Sequence, residues 1–219
     1  TAYSGAGIGG GGGYSQGSNA GPLTIYGGTV VATGGSGEFS GPGIGGGSAL
    51  NSGTMGTVLI EGGTVTARSG NGSYNASGIG YGYANSVNQV RTDSASITIT
   101  GSAVVISSSE NGVRSYAAIG HNDNGNIAIG GTATITATKG ISTEGGDLGV
   151  ISSNILQISG SPQITVYSSD KQGDEYFLGD SGSVGSEYEA VKPIYAKSIT
   201  STVPVMAGMF PSAPHVKTI

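Results

Sequence analysis

The chain has 219 residues, 44 of them glycine, with no cysteine or tryptophan and a formal net charge of −5. Charged residues make up 10%, well under the usual ~25%. The eight Lys and Arg are scattered, which excludes the basic patch that nucleic acid requires. Glycine-rich disordered chains combine high net charge with few β-branched residues. Here the charge is low and Ile, Val and Thr recur throughout, which predicts an ordered β protein rich in turns. No window approaches 18 consecutive apolar residues, so no helical membrane insertion is expected. The absence of cysteine excludes disulfides and thiolate metal sites. The chain begins at Thr1 without methionine or signal peptide, which predicts a piece of a larger, processed multidomain protein.

The first element is "GAGIGGG" from Gly5 to Gly11, whose first six residues fit the G-x-G-x-x-G of dinucleotide-binding loops. That loop occurs once in a nucleotide-binding domain and opens a helix. Here the motif returns as "GPGIGGG" (Gly41 to Gly47), "ASGIGYG" (Ala76 to Gly82) and "YAAIGHN" (Tyr116 to Asn122), and no helical periodicity follows any copy. Its isoleucines, Ile8, Ile44, Ile79 and Ile119, are spaced 36, 35 and 40 residues apart. Fixed periods of this size signal a solenoid or array, and the glycines read as turn residues.

A second motif follows each copy of the first: "LTIYGGTVVAT", "VLIEGGTVTAR", "ITITGSAVVIS" and "IAIGGTATITAT", with a fainter fifth, "LQISGSPQITVYS". Period-two alternation predicts strands that turn Leu23/Ile25, Val58/Ile60, Ile97/Ile99 and Ile127/Ile129 to one side. After a Gly-Gly or Gly-Ser corner it resumes with Val30/Ala32, Val65/Ala67, Val104/Ile106 and Ala133/Ile135. With "GIGGG" as a third short strand, each repeat makes three sides. The expected fold is all-β: a right-handed parallel β-helix of about five coils, spanning residues 1–168. Residues 169–219, where the pattern breaks, are expected to form a C-terminal cap and extended connection over the exposed strand edges.

The paired motifs resemble the glycine-rich repeats of large secreted or wall-attached surface proteins of Gram-positive bacteria. The shape is similar to the pectin-lyase-like β-helix superfamily and its non-catalytic polygalacturonate-binding relatives. This resemblance covers roughly residues 5–165 and implies an extracellular or cell-surface location. It also implies an adhesive, carbohydrate-binding or scaffolding role, with a polysaccharide or cell-surface glycan as the partner. It transfers no catalytic residue.

Candidate chemistry is sparse. "GDSG" at Gly179–Gly182 matches a serine-protease nucleophile loop, but a triad needs a suitably placed histidine, and His121 and His215 are the only two. Between residues 1 and 120 the acids are Glu38, Glu61, Asp93 and Glu110. Only Glu38 and Glu110, in equivalent loops, could approach across coils as the carboxyl pair of a polysaccharide lyase or hydrolase. The residues therefore point away from catalysis. Asp170, Asp174, Glu175 and Asp180 offer hard oxygen ligands for calcium, without the spacing of an EF-hand. "HNDNGN" reads more simply as an Asx turn. The pairs Thr64/Thr66, Thr98/Thr100 and Thr134/Thr136 read as ordinary outward strand residues. Phe39 and Tyr74 each precede their isoleucine by five residues, so stacking should place one above the other; such a ladder is a platform for sugar rings if exposed, and packs a loop on the coil, the commoner outcome, if buried. Tyr81 and Tyr116 would add further aromatic faces. An adhesin or scaffold module is the leading expectation, a phage or virion fibre the alternative, and a polysaccharide-cleaving enzyme the third.

Overall fold

The computed structural model describes residues 2–50, 53–84, 95–120, 125–144, 149–168, 192–201 and 215–218. The first repeat contributes β1 (Ile8–Gly9), β2 (Leu23–Ile25) and β3 (Thr29–Thr33). The second contributes β4 (Ile44–Gly45), β5 (Val58–Ile60) and β6 (Thr64–Arg68). The third holds β7 (Tyr74–Asn75), β8 (Ile79–Gly80), β9 (Ser96–Ile99) and β10 (Val104–Ser108). The fourth holds β11 (Arg114–Ser115), β12 (Ile119–Gly120), β13 (Asn126–Ile129) and β14 (Thr134–Lys139). Then come β15 (Gly149–Ile158), β16 (Gln163–Ser168), β17 (Lys192–Ser201) and β18 (His215–Thr218). Every element among the described residues is a strand, so the protein is all-β.

Strands pair with their counterparts in the next repeat, in parallel and in register. Ile8, Ile44, Ile79, Ile119 and Ile151 form one row. Leu23, Val58, Ile97, Ile127 and Leu156 form another. A separate sheet, β3-β6-β10-β14-β16, aligns Val30, Val65, Val105, Ile135 and Ile164. The long β15 joins the first two ladders, pairing with β12 near its start and with β13 over its second half. Beyond residue 168, β17 continues the parallel pairing on β15, and β18 adds antiparallel to β16.

The alternation explains the core. Inward residues from all three sides form one cluster that runs from Ile25 to Val166 and includes Ile44, Ile60, Ile79, Ile99, Ile119 and Ile129, with Ile8 packed at its margin. Burying each such side chain contributes ~1.5–3 kcal/mol. Glycines with positive φ mark the same corner in successive repeats, as at Gly28 (82°) and Gly101 (63°), where a Cβ would be strained.

One inward pair differs from the sequence-based expectation. Val104 and Ile106 point outward, 37% and 40% exposed, while Val105 and Ser107 are fully buried. The register aligns Val105 with Val65 and Ser107 with Ala67. The polar Ser107 is accommodated because its hydroxyl donates to the Ala118 carbonyl at 2.7 Å. Alternation in "AVVIS" is ambiguous by one residue, and the ladder resolves it.

Ser and Asn side chains outside the strands tie each repeat to the next. The N–H groups of Thr54, Asn71, Tyr83 and Ile141 donate to Asn19 Oδ1, Ser36 Oγ, Ser48 Oγ and Asn111 Oδ1, at 2.7–3.1 Å. Each bond satisfies a loop amide that the strand ladders leave free, a net contribution of ~0.5–1.5 kcal/mol.

Candidate functional site

The most organised side-chain cluster is aromatic, and backbone pairing builds it. A short fourth ladder runs beside the three sides: Tyr3 pairs with Phe39, Phe39 with Tyr74, and Tyr74 with Arg114. Parallel strands sit ~4.8 Å apart, close to the spacing of stacked rings. The Tyr3 and Phe39 rings accordingly lie 4.5 Å apart at 9°, and Phe39 and Tyr74 4.9 Å apart at 17°. A second set flanks this column. Tyr83 lies 5.3 Å from Phe39 and 5.0 Å from Tyr74, and stacks on Tyr116 at 5.1 Å. Tyr14 meets Tyr3 edge-on at 6.0 Å. Contacts of this kind contribute ~0.5–1.5 kcal/mol each beyond area burial.

The column stacks as the five-residue spacing predicts, but its rings serve one another. Phe39 is 3% exposed, with Tyr3 on one face and Tyr74 on the other, so it offers no face to a sugar. Tyr81 is 1% exposed and belongs to the main core, which removes it from the expected surface platform. Tyr74 and Tyr116 are half-buried, and Tyr14 is 70% exposed. Burial pushes the Tyr83 hydroxyl above its ordinary range, and the charge and hydrogen bond of Arg114 offset part of that shift.

Asn75, next to Tyr74, is fully buried, and its Nδ2 donates to the carbonyls of Gly72, Glu110 and Asn111. It thereby pins the loop before Arg114 to the rung below. Tyr3 and Arg114 were not singled out from the sequence, although both share the five-residue spacing, to Ile8 and to Ile119. A search for rings alone passes over the arginine.

Glu38 and Glu110 do not fall on adjacent rungs. Glu38 precedes Phe39, Glu110 lies four residues before Arg114, and the Tyr74 rung intervenes. Lys139 is buried at the end of β14, donating to the Gly140 carbonyl and to Ser142 Oγ, both at 3.3 Å. Among the described residues no group of three or more His, Asp or Glu is placed to hold a metal ion. The expected calcium ligands Asp170, Asp174, Glu175 and Asp180 lie outside the described residues, as does His121. Comparison with protein-family models, with curated proteins and with solved structures found no match.

Proposed function

We propose that the chain is a right-handed parallel β-helix that serves as a rigid scaffold or adhesin module of an extracellular surface protein. One observation carries this reading: the ladders keep one register through five successive repeats. The specialised side chains support it. Rings stack on rings, and Ser and Asn bond the backbone of the next repeat. Such chemistry resists deformation along the stack. Pulling the chain from its two ends in a force spectrometer tests this. Repeat-by-repeat rupture is expected, and smooth extension at low force would count against a load-bearing module.

A second reading, carbohydrate binding, rests on Tyr14, Tyr74 and Tyr116, which keep exposed or half-exposed rings at the margin of the stack. A weakly charged polysaccharide would be held there by stacking and hydrogen bonds, so binding should be weak and insensitive to salt. Affinity electrophoresis in neutral polysaccharide gels tests it. Retardation lost in Tyr14→Ala would support the reading, and unretarded migration of the parent protein in every gel would remove it.

A further inference from the structure

One corner of the stack carries the same dipeptide on successive rungs in different surroundings. The loops that lead into Phe39, Tyr74 and Arg114 stand one above the other, because Phe39 pairs with Tyr74 and Tyr74 with Arg114. Three residues before each of these lie Ser36, Asn71 and Asn111. The next rung puts Ile141 at that place, since Gly112 pairs with Ser142. Asn71 and Asn111 are each followed by glycine. Both asparagines are exposed, so access to water does not separate them. A further Asn-Gly pair occurs at Asn124-Gly125, and Asn124 lies outside the described residues.

Hydrogen bonding does separate them. In this column a side-chain oxygen can accept from the backbone N–H of the rung above. Ser36 Oγ accepts from Asn71 N–H at 3.1 Å, and Asn111 Oδ1 accepts from Ile141 N–H at 2.8 Å. Gly112 N–H donates to the Ile141 carbonyl at 2.9 Å, so both halves of the Asn111-Gly112 pair are held. The intervening bond, from Asn111 N–H to Asn71 Oδ1, is not made. Among the described residues neither the Asn71 side chain nor Gly72 N–H has a hydrogen-bond partner. Gly72 is itself fixed by space, because a Cβ there would overlap the Gly37 carbonyl oxygen. The fold thus requires this glycine and leaves the asparagine side chain before it unrestrained.

We propose that Asn71 is a self-modification site, which deamidates through a succinimide while Asn111 is protected. The Gly72 nitrogen gives up its proton and attacks Asn71 Cγ. The new N–Cγ bond closes the succinimide ring, the Cγ–Nδ2 bond breaks, and the amide nitrogen leaves with that proton as ammonia. Water then opens the ring at Cγ, giving aspartate, or at the main-chain carbonyl carbon of residue 71, giving isoaspartate. Nothing is oxidised or reduced, and water is the only co-reactant. At Asn111 the same attack must first break the bonds that Ile141 makes to Asn111 Oδ1 and to Gly112 N–H. The isoaspartyl product has a structural consequence. The Asn71 carbonyl accepts from Gly37 N–H at 3.1 Å. Isoaspartate turns that carbonyl into a carboxylate off the main chain and lengthens the backbone by a methylene. The loop of the second repeat is thereby released from that of the first.

Peptide mapping by mass spectrometry, on the whole folded chain held in mildly alkaline buffer, tests the proposal. Cleavage after Arg68, Arg91 and Arg114 puts Asn71 and Asn111 in different peptides. Asn71 should gain the mass of amide-to-acid conversion about tenfold faster than Asn111, which must lose two hydrogen bonds to react. In concentrated urea the two should convert at similar rates. Asn71→Ser, which copies Ser36 one rung below, should keep the circular dichroism spectrum and abolish the early conversion. Equal rates in the folded chain, or a faster rate at Asn111, overturn the proposal. So does a rate difference that survives in urea, since sequence alone would then explain it. The isoaspartyl fraction, separated from the aged protein, should melt below Asn71→Asp, which carries the new charge without the extra methylene. Equal melting of the two overturns the release of the loop.

Discussion

Along β5, β9 and β13 burial alternates residue by residue, whereas from position 40 to 49 every residue is buried. On the alternating sides, side chains fill the interior and the backbone faces only its ladder partners. On the glycine-rich side the backbone is itself covered. Gly47 N–H donates to the Ser18 carbonyl, Gly53 N–H to that of Gly47, and Ser48 N–H to that of Ser4. A Cβ added at Gly41, Gly43, Gly45, Gly46 or Gly47 would overlap backbone atoms of a neighbouring segment. The repeats are thus held by side-chain burial on two sides and by close packing of bare backbone on the third. Most glycines on that side answer to space rather than to a turn.

This contrast predicts that glycine, not isoleucine, is the costliest residue to change. Gly45 has φ of 141° and its Cβ would fall on the Gly80 carbonyl oxygen, which the ladder holds in place. Gly45→Ala should cost about 5 kcal/mol or prevent folding, a magnitude that needs strain and overlap together. Urea denaturation measures it, and a loss under about 1 kcal/mol would break the comparison. Ile99→Ala comes next. Ile99 is fully buried between Ile60 and Ile129, and a stacked core can close only partly around the cavity. The expected loss is about 3 kcal/mol by the same measurement.

Ser107→Ala should cost less, about 1 kcal/mol, because it removes one hydrogen bond at a position where Ala67 and Ala137 pack without one. Thermal unfolding of this variant checks whether the bond to Ala118 locks the register of β10. No change in stability would leave the ladder alone responsible.

The strands were legible because the core repeats with period two and the motifs with period near 36, two regularities that the ladders preserve. The aromatic column was legible for the same reason, since a fixed offset from Ile44 and Ile79 becomes a fixed place on successive rungs. What was hidden depends on contacts between residues distant in sequence. Nothing local shows that Ser107 has an acceptor in Ala118, or that Tyr81 turns into the core where Gly46 stands one repeat earlier. Nor does the sequence separate a glycine needed for a corner, such as Gly28, from one needed for a backbone crossing, such as Gly47.

The smallest expected effect is the sharpest control on that last distinction. Gly27 sits at the corner between β2 and β3, with no atom within 4 Å of where its Cβ would stand and no positive φ. In sequence it belongs to a Gly-Gly pair much like those of "GIGGG". If glycine were required by composition alone, Gly27→Ala should hurt as much as Gly45→Ala. If space decides, alanine fits without contact and the substitution acts mainly on the unfolded chain, whose freedom it reduces. The expected outcome is a gain of ~0.4–1 kcal/mol, read as a small rise in melting temperature. The neighbouring Gly28, with φ of 82° and equally open surroundings, separates the remaining cause: Gly28→Ala should lose stability through backbone strain alone. Equal effects at Gly27 and Gly28 would show that the backbone angle does not decide which glycines this chain needs, and would leave space as the cause at Gly45.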